Sequence, residues 1–203
     1  MRLDAPLDDI FANASHVRLL RALFALPDDV GTSGRDLARR ARISHPRANQ
    51  VLAELAAQGL VAVQRLPRMG LYRINRRHAL AEPLRELFDL EPKLKSELLS
   101  LVAGELKARH LPVKEARIFG SAARGPMADT SDVDLALVTA RGSVAAVEVA
   151  AQEIAETARE RFGTRLNVLV GSPSLEKLSK GRQAGHGLWQ TIERDGIDVL
   201  APS

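Results

Sequence analysis

The feature that most constrains this sequence is a Gly-Ser pair followed, after ten intervening residues, by two aspartates. A short apolar segment ends at Gly120 and Ser121, and Asp132 and Asp134 open a second apolar segment. Because side chains alternate between the two faces of a strand, both carboxylates project from the same face. The spacing therefore predicts two strands that bring a glycine, a hydroxyl and two carboxylates to one site.

These residue types suit a metal ion and a phosphate ligand. Carboxylate oxygens suit Mg²⁺, which binds a few carboxylates together with substrate phosphates. Gly120 allows the backbone to approach a ligand closely, and Ser121 with the N–H groups at a helix start offers an anion cradle. We therefore predict Mg²⁺ as cofactor and a nucleoside triphosphate (NTP) as substrate or ligand. The alternative is that Asp132 and Asp134 are only a capping or edge-strand pair.

The string GSAARGPMADTSDVDLALV resembles the minimal nucleotidyltransferase domain of the DNA polymerase beta-like superfamily. The resemblance extends over about residues 94–200. It implies that Asp132 and Asp134 are the catalytic carboxylates and bind Mg²⁺. The residues predicted to bind the nucleotide are Gly120, Ser121, Arg124 and Ser131.

The third carboxylate that members of this superfamily usually supply is missing from its expected strand. A long helix predicted at about 143–161 leads to a predicted strand at 165–170, and Asn167 stands where an aspartate is expected. An amide can offer a metal its neutral oxygen, but it cannot act as a base. Asn167 is therefore predicted as a third, neutral metal ligand, and catalytic activity is left open.

Positive charge is concentrated in one N-terminal segment. Residues 35–77 contain ten arginines and two acidic residues, a local charge of +8 in a chain of net charge +4. Arginine presents a rigid fork of donors that matches phosphate oxygens. The segment therefore indicates a phosphate-facing surface, and a solvated basic face is the alternative.

The same region has the pattern of three helices and a hairpin. Apolar periodicity predicts helices at 8–26, 33–42 and 44–58, then strands at 60–66 and 71–77 joined by a four-residue turn. This pattern resembles the winged helix-turn-helix regulators of bacteria and archaea. In those regulators the third helix reads the major groove and the wing contacts the DNA backbone or the minor groove. The alternative is a winged helix used for protein contacts or dimerisation.

The third predicted helix carries polar side chains away from its apolar stripe, where base edges would lie. Neighbouring arginines suit phosphate contacts. The predicted DNA contacts are His45, Arg47, Asn49 and Gln50 on this helix, Arg39 and Arg40 beside it, and Arg65, Arg68 and Arg73 on the wing.

The predicted fold class is α+β, with an N-terminal winged helix-turn-helix and a C-terminal nucleotidyltransferase-type mixed sheet with flanking helices. The predicted domains are residues 1–78 and 111–203, joined by a helical connector at 79–110. In that connector Leu94, Leu98, Leu101 and Leu106 form an apolar stripe that fits packing against a domain or a dimer surface. A homodimer is predicted.

Composition removes several classes of protein. The absence of cysteine excludes disulfide scaffolds, thiolate zinc sites and cysteine nucleophiles. An aromatic content of 3% disfavours single-strand binding by base stacking. No apolar run reaches the roughly 18 residues of a membrane span, and the start lacks the pattern of a signal peptide. A cytoplasmic location with no membrane partner is predicted.

Two functions are left open. The first is a DNA-binding regulator with a Mg²⁺-dependent transferase that moves a nucleoside monophosphate from an NTP to a protein or RNA hydroxyl. For this function the resemblance implies an antitoxin-like role, with double-stranded DNA, an NTP and a helical toxin or an RNA acceptor as partners. The alternative is a transcriptional regulator whose degenerate transferase domain serves nucleotide sensing or dimerisation. Asn167 favours the alternative, and the intact Gly-Ser and aspartate pairs favour the first.

Overall fold

A computed structural model describes residues 7, 10–67, 69–120, 123, 132–180 and 186–201, with the backbone alone at 175, 176, 179 and 186. The chain divides into two compact units, Met1–Pro92 and Lys93–Ser203. Each unit has its own hydrophobic core among the described residues. No helix in that part of the chain combines the length and hydropathy needed to cross a bilayer.

The first unit consists of helices closed by a small antiparallel sheet. Its helices are α1 (Ala14–Phe24), α2 (Gly34–Ala41), α3 (His45–Ala57) and α4 (Ala81–Leu90). Its strands are β1 (Thr32–Ser33), β2 (Val61–Leu66) and β3 (Met69–Ile74), in the order β1-β3-β2. This is the predicted winged helix-turn-helix, in which β2 and β3 form the wing.

Serine caps and an apolar stripe define the two helices of the helix-turn-helix. The Ser33 hydroxyl accepts a hydrogen bond from the Asp36 N–H at 3.2 Å, and the Ser44 hydroxyl accepts one from the Arg47 N–H at 3.4 Å. Each cap satisfies a backbone donor that the first helical turn leaves unpaired. The fully buried residues of α3 are Ala48, Val51, Leu52 and Leu55, as its periodicity predicts.

The wing differs from its prediction in two details. Leu66 pairs directly with Met69, so two residues connect the strands where four were expected. Thr32 and Ser33 add a third strand to β3 that the sequence did not reveal, because two residues are too few to show an alternating pattern.

The second unit is a mixed sheet with flanking helices, which confirms the predicted α+β class. Its helices are α5 (Leu94–Ala108), α6 (Val144–Phe162), α7 (Leu175–Lys180) and α8 (His186–Asp195). Its strands are β4 (Val113–Phe119), β5 (Val133–Thr139), β6 (Leu166–Gly171) and β7 (Ile197–Asp198), in the order β6-β5-β4-β7. The β5–β6 pair is parallel, and β4 is antiparallel to both of its neighbours.

Helices cover both faces of this sheet. On β5, Leu135 and Leu137 lie in the same core as residues of α5 and α6. The alternate residue Ala136 packs with Leu178 of α7 and Trp189 of α8 on the other face. On β5 itself the polar side chains, Asp134 and Thr139, lie next to or at the strand ends.

The connector predicted at 79–110 is divided between the two units. Leu84 and Phe88 of α4 are buried in the core of the first unit. Leu98 and Leu106 of the leucine stripe are buried in the core of the second unit, whereas Leu94 is 42% exposed. Packing within the second unit therefore explains why Leu98 and Leu106 are apolar. The boundaries at 78 and 111 stay predictions.

The core of the first unit contains an ionisable side chain, His16, which is 1% exposed. Its Nε2 lies 3.0 Å from Oε2 of Glu54 on α3. Burial lowers the pKa of His16, and the nearby charge of Arg47 acts in the same direction. The Glu54 carboxylate opposes this shift without reversing it. His16 is therefore held as a neutral ring inside the folded unit.

We expect the free energy of unfolding to fall as the pH decreases below about 6.5, the ordinary pKa of histidine. The unfolded chain then binds a proton at His16 that the folded chain does not bind until a lower pH is reached. Urea unfolding of the full chain between about pH 5 and pH 8 measures this dependence. In a His16→Gln protein the dependence should be weaker, whereas His45→Gln, which removes an exposed histidine, should keep it. Equal pH dependence of the wild type and His16→Gln would contradict this assignment.

Candidate nucleotide site and nucleic-acid interface

Three strand ends meet at the site of the predicted carboxylate pair. β4 ends at Phe119, which pairs with Asp134 at the start of the antiparallel strand β5. Asp134 is also in register with Asn167 at the start of the parallel strand β6. Asp132, Asp134 and Asn167 occupy alternate or paired positions, so the three side chains project from one face of the sheet.

The side chain of Asn167 joins the two carboxylates. Its Nδ2 donates hydrogen bonds to Oδ2 of Asp132 and to Oδ1 of Asp134, both at 3.3 Å. Asp132 and Asp134 are partly buried, and Asn167 is exposed. The negatively charged carboxylates of Asp132 and Asp134 repel each other, and the hydrogen bonds from the Asn167 amide offset part of that repulsion. We call Asp132, Asp134 and Asn167 the carboxylate-amide cluster.

Gly120 lies directly against this cluster. Its φ of +74° is in the left-handed region that favours glycine. A Cβ at this position would lie 2.5 Å from Oδ2 of Asp134, closer than such atoms can approach. The backbone at residue 120 therefore approaches so closely that any other residue would have to displace the Asp134 carboxylate.

The other predicted nucleotide contacts, Ser121, Arg124 and Ser131, lie outside the described residues, as does Arg68 of the wing. No group of three metal-ligating His, Cys, Asp or Glu side chains occurs in the described part of the chain. Asp198 does not supply a third carboxylate to the cluster. It lies on β7 in register with Arg117, and its Oδ1 accepts a hydrogen bond from the Leu200 N–H at 2.8 Å.

In the first unit, the predicted base-reading residues share the outward side of α3. His45, Asn49 and Gln50 are exposed, and Arg47 is partly buried. The side chain of Asn49 lies against the start of α2, where a Cβ on Gly34 would be 2.8 Å from its Oδ1. A cleft lined by residues of α2, α3 and β3 places His45 and Asn49 close to the wing.

The arginines predicted to contact phosphate fall into two groups. Arg39 and Arg40 both form ion pairs with Asp36, and the Arg40 Nε lies 2.7 Å from its Oδ2. The hydrogen bond from Arg40 is the main reason that the pKa of Asp36 lies below its usual range. Arg65 and Arg73 are exposed on the two strands of the wing. The two groups therefore border α3 on separate elements, α2 and the wing.

Two polar residues beside this interface, Glu54 and His16, are not among the predicted site residues. Glu54 accepts a hydrogen bond from Nε2 of Gln50 at 3.0 Å and contacts His16. Spacings of three and four residues from Arg47 to Gln50 and from Gln50 to Glu54 signal neighbours on a helix surface. His16 occupies a position of the apolar stripe of α1, a signal that predicts burial but not its partner.

Comparison with protein families gives two matches. Residues 13–69 match the model of the MarR family, and residues 99–180 match the model of the nucleotidyltransferase domain. No curated protein matches the chain. The two matches confirm the predicted fusion of a winged-helix domain, here MarR-like, with a nucleotidyltransferase domain. The second match includes Gly120 and the whole carboxylate-amide cluster.

We expect Gly120→Ala to lower the free energy of unfolding by more than the roughly 1 kcal/mol that a left-handed φ alone costs. The added methyl group must displace the Asp134 carboxylate, so the variant should also lose the binding of Mg²⁺ and NTP that is predicted for this cluster. Urea unfolding and calorimetric titration of the full chain measure the two effects.

Gly163→Ala is the matched control, because Gly163 has a φ of +66° but no atom within 4 Å of its added Cβ. It should lose only the contribution of the backbone strain and keep ligand binding. If both alanine variants behave alike, contact with Asp134 is not what requires glycine at position 120.

Proposed function

We propose that the chain is a DNA-binding regulator whose transferase domain binds Mg²⁺ and an NTP. That domain transfers the nucleoside monophosphate to a hydroxyl of a protein or an RNA, an antitoxin-like activity. The observation that carries this proposal is the carboxylate-amide cluster, which lies at a sheet edge beside the close backbone approach of Gly120. The match to a nucleotidyltransferase domain supports the same reaction class.

The cluster fits Mg²⁺ by the chemistry of its donors. Asp132 and Asp134 would hold the ion through carboxylate oxygens, and Asn167 would offer its amide oxygen once its side chain turns over. When bound, the ion supplies positive charge that offsets the charge of the triphosphate. Glycine at position 120 would let the backbone lie close to a phosphate bound next to the carboxylates.

The proposed reaction forms one phosphorus–oxygen bond and breaks another. The acceptor oxygen attacks the α-phosphorus of the NTP, pyrophosphate leaves, and the acceptor hydroxyl loses its proton. Asn167 cannot take that proton, because an amide is not a base at neutral pH. Within the described cluster, the carboxylates of Asp132 and Asp134 are the groups that can take up this proton. Transfer should therefore be slow compared with a site that has a third carboxylate.

A second candidate function rests on the same asparagine. In a degenerate transferase domain the cluster would bind an NTP without transferring it, and the domain would serve nucleotide sensing or dimerisation. Asn167 favours this candidate, since it removes both a negative charge and a base. The two candidates share nucleotide binding and differ in transfer.

DNA binding is supported by the first unit. The match to the MarR family covers α1, β1, α2, α3 and β2. The outward side of α3 carries the predicted base contacts, and arginines on α2 and the wing border it. This arrangement suits a helix in the major groove with phosphate contacts on both sides.

Transfer is tested by incubating the full chain with each α-labelled NTP, Mg²⁺ or Mn²⁺, and cell lysate. We expect labelled protein or RNA with the wild type and none with Asp132→Asn/Asp134→Asn. Asn167→Asp should increase the transfer rate about tenfold or more, because it restores a preorganised charged group. Asp198→Asn is the matched control, since it changes an aspartate of the same sheet outside the cluster.

The outcomes of this experiment separate the two candidates. Labelling that depends on Asp132 and Asp134 supports the transferase. NTP binding without labelling, in both the wild type and Asn167→Asp, supports the degenerate domain. If neither protein binds or transfers any NTP, both nucleotide functions fail. Identification of the labelled molecule distinguishes a helical toxin from an RNA acceptor.

DNA binding is tested by selecting duplexes from a random pool with the full chain. Arg47→Ala/Gln50→Ala should weaken binding of the selected duplex about tenfold or more at fixed salt, because base contacts are lost. Arg18→Ala, which removes an exposed arginine of α1, should bind like the wild type. A palindromic selected sequence would support the homodimer that we also propose. Full affinity of the double variant would remove α3 as the recognition helix.

A further inference from the structure

A chain of polar side chains links the outward side of α3 to the core of the first unit. Nη1 of Arg47 donates to Oε1 of Gln50 at 2.8 Å. Nε2 of Gln50 donates to Oε1 of Glu54 at 3.0 Å. The other carboxylate oxygen of Glu54 lies 3.0 Å from Nε2 of buried His16. Two residues that we place at the DNA interface are therefore connected to a side chain with 1% exposure.

The chemistry of these groups fixes the direction of every link. The Glu54 carboxylate only accepts hydrogen bonds, so Nε2 of His16 must carry a hydrogen and donate it. In the neutral ring Nδ1 is then an acceptor, and it has no partner among the described residues. The carboxylate likewise requires the NH₂ group of Gln50, which turns the amide oxygen of Gln50 towards Arg47.

This direction decides what α3 can offer to a base. A glutamine recognises adenine with its oxygen on the N6 donor and its NH₂ on the N7 acceptor. In this structure the Gln50 oxygen is engaged by Arg47. Arg47 and the NH₂ group of Gln50 offer only N–H donors, and Arg47 already occupies one of the two lone pairs of the Gln50 oxygen. A surface on which donors predominate matches guanine, whose N7 and O6 in the major groove are both acceptors.

We propose that His16 and Glu54 are positioning residues that hold the Gln50 amide in one orientation, so that Arg47 and Gln50 select guanine over adenine. This inference rests on the proposed DNA-binding function and names the base that the recognition helix reads. His16 fixes Glu54 from the core, Glu54 fixes Gln50, and Gln50 fixes Arg47. Removing Glu54 or His16 leaves the Gln50 amide free to turn over, so that it can also bind the donor and acceptor of adenine.

The test uses duplexes selected from random double-stranded DNA by the full wild-type chain. At the position whose base preference disappears in Arg47→Ala/Gln50→Ala, we expect guanine. The preference is the dissociation constant of the adenine counterpart divided by that of the guanine duplex, measured by fluorescence anisotropy at fixed salt. Glu54→Ala should reduce this ratio about tenfold, the scale of one well-formed base contact. Glu86→Ala, which removes an exposed glutamate of α4, is the matched control and should keep the ratio.

Further variants separate positioning from folding. Glu54→Gln has nearly the size of the native residue and can donate to the Gln50 oxygen, so it should also lose the preference. His16→Gln retains an N–H donor near the position of Nε2 and should keep more of the preference than His16→Leu. A role in folding alone would weaken binding of both duplexes equally and leave the ratio unchanged. Circular dichroism of each protein shows that it is folded at the assay temperature.

The outcomes are distinct. Selection of guanine, with loss of the preference in both Glu54 variants and rescue by His16→Gln, supports the proposal. Selection of adenine by the wild type, or an unchanged ratio in the Glu54 variants, overturns it while leaving DNA binding intact. If no duplex is enriched, the proposed DNA-binding function fails and this inference fails with it.

Discussion

The pairing of Asp134 with Asn167 across the parallel strands β5 and β6 is the interaction on which the second unit's chemistry depends. It sets an amide against two carboxylates that share one face of a strand and would otherwise face each other without compensation. A third acid in place of Asn167 would add repulsion that only a cation could offset. With asparagine at position 167 the cluster carries two negative charges rather than three, so the repulsion within it is smaller when no ion is bound. The consequence is that position 167 offers no base.

In both units a side-chain amide donates a hydrogen bond to a carboxylate. In the second unit a side-chain amide donates to acids, and the burial of both sheet faces confines these polar groups to the strand ends. In the first unit a carboxylate, Glu54, accepts from an amide and from a buried imidazole. Each arrangement fixes the orientation of a flexible amide by a carboxylate, which can only accept. Orientation of this kind precedes any contact with a ligand and reduces the entropy lost on binding.

Much of the fold could be predicted because its signals are local. The caps Ser33 and Ser44, the buried stripe of α3 and the short apolar strands β4 to β6 all follow from the sequence within one element. Non-local features were harder: β1 is defined only by its pairing with β3, and the two-residue wing connection only by the register of Leu66 with Met69. The leucine stripe likewise gave no sign of its partner, because periodicity shows that a face is buried but not against what. At the candidate site, position 167 was identified by order along the chain, whereas the amide's contact with both acids required the register of β5 and β6.

The sequence alone determined which residue types are available: two carboxylates after a Gly-Ser pair, an asparagine in the third position, and ten arginines around a polar helix face. Only the tertiary structure decided which of them touch. Residues 134 and 167 meet because a crossover helix returns the chain parallel to β5, and His16 reaches Glu54 because α1 packs on α3. The spacing of residues along the chain determines which neighbours a few positions apart can touch. Contacts between residues 33 or 38 positions apart depend instead on how the buried faces of helices and strands pack against each other. Composition and spacing determine which donors and acceptors the chain offers, and packing determines which of them form hydrogen bonds with each other.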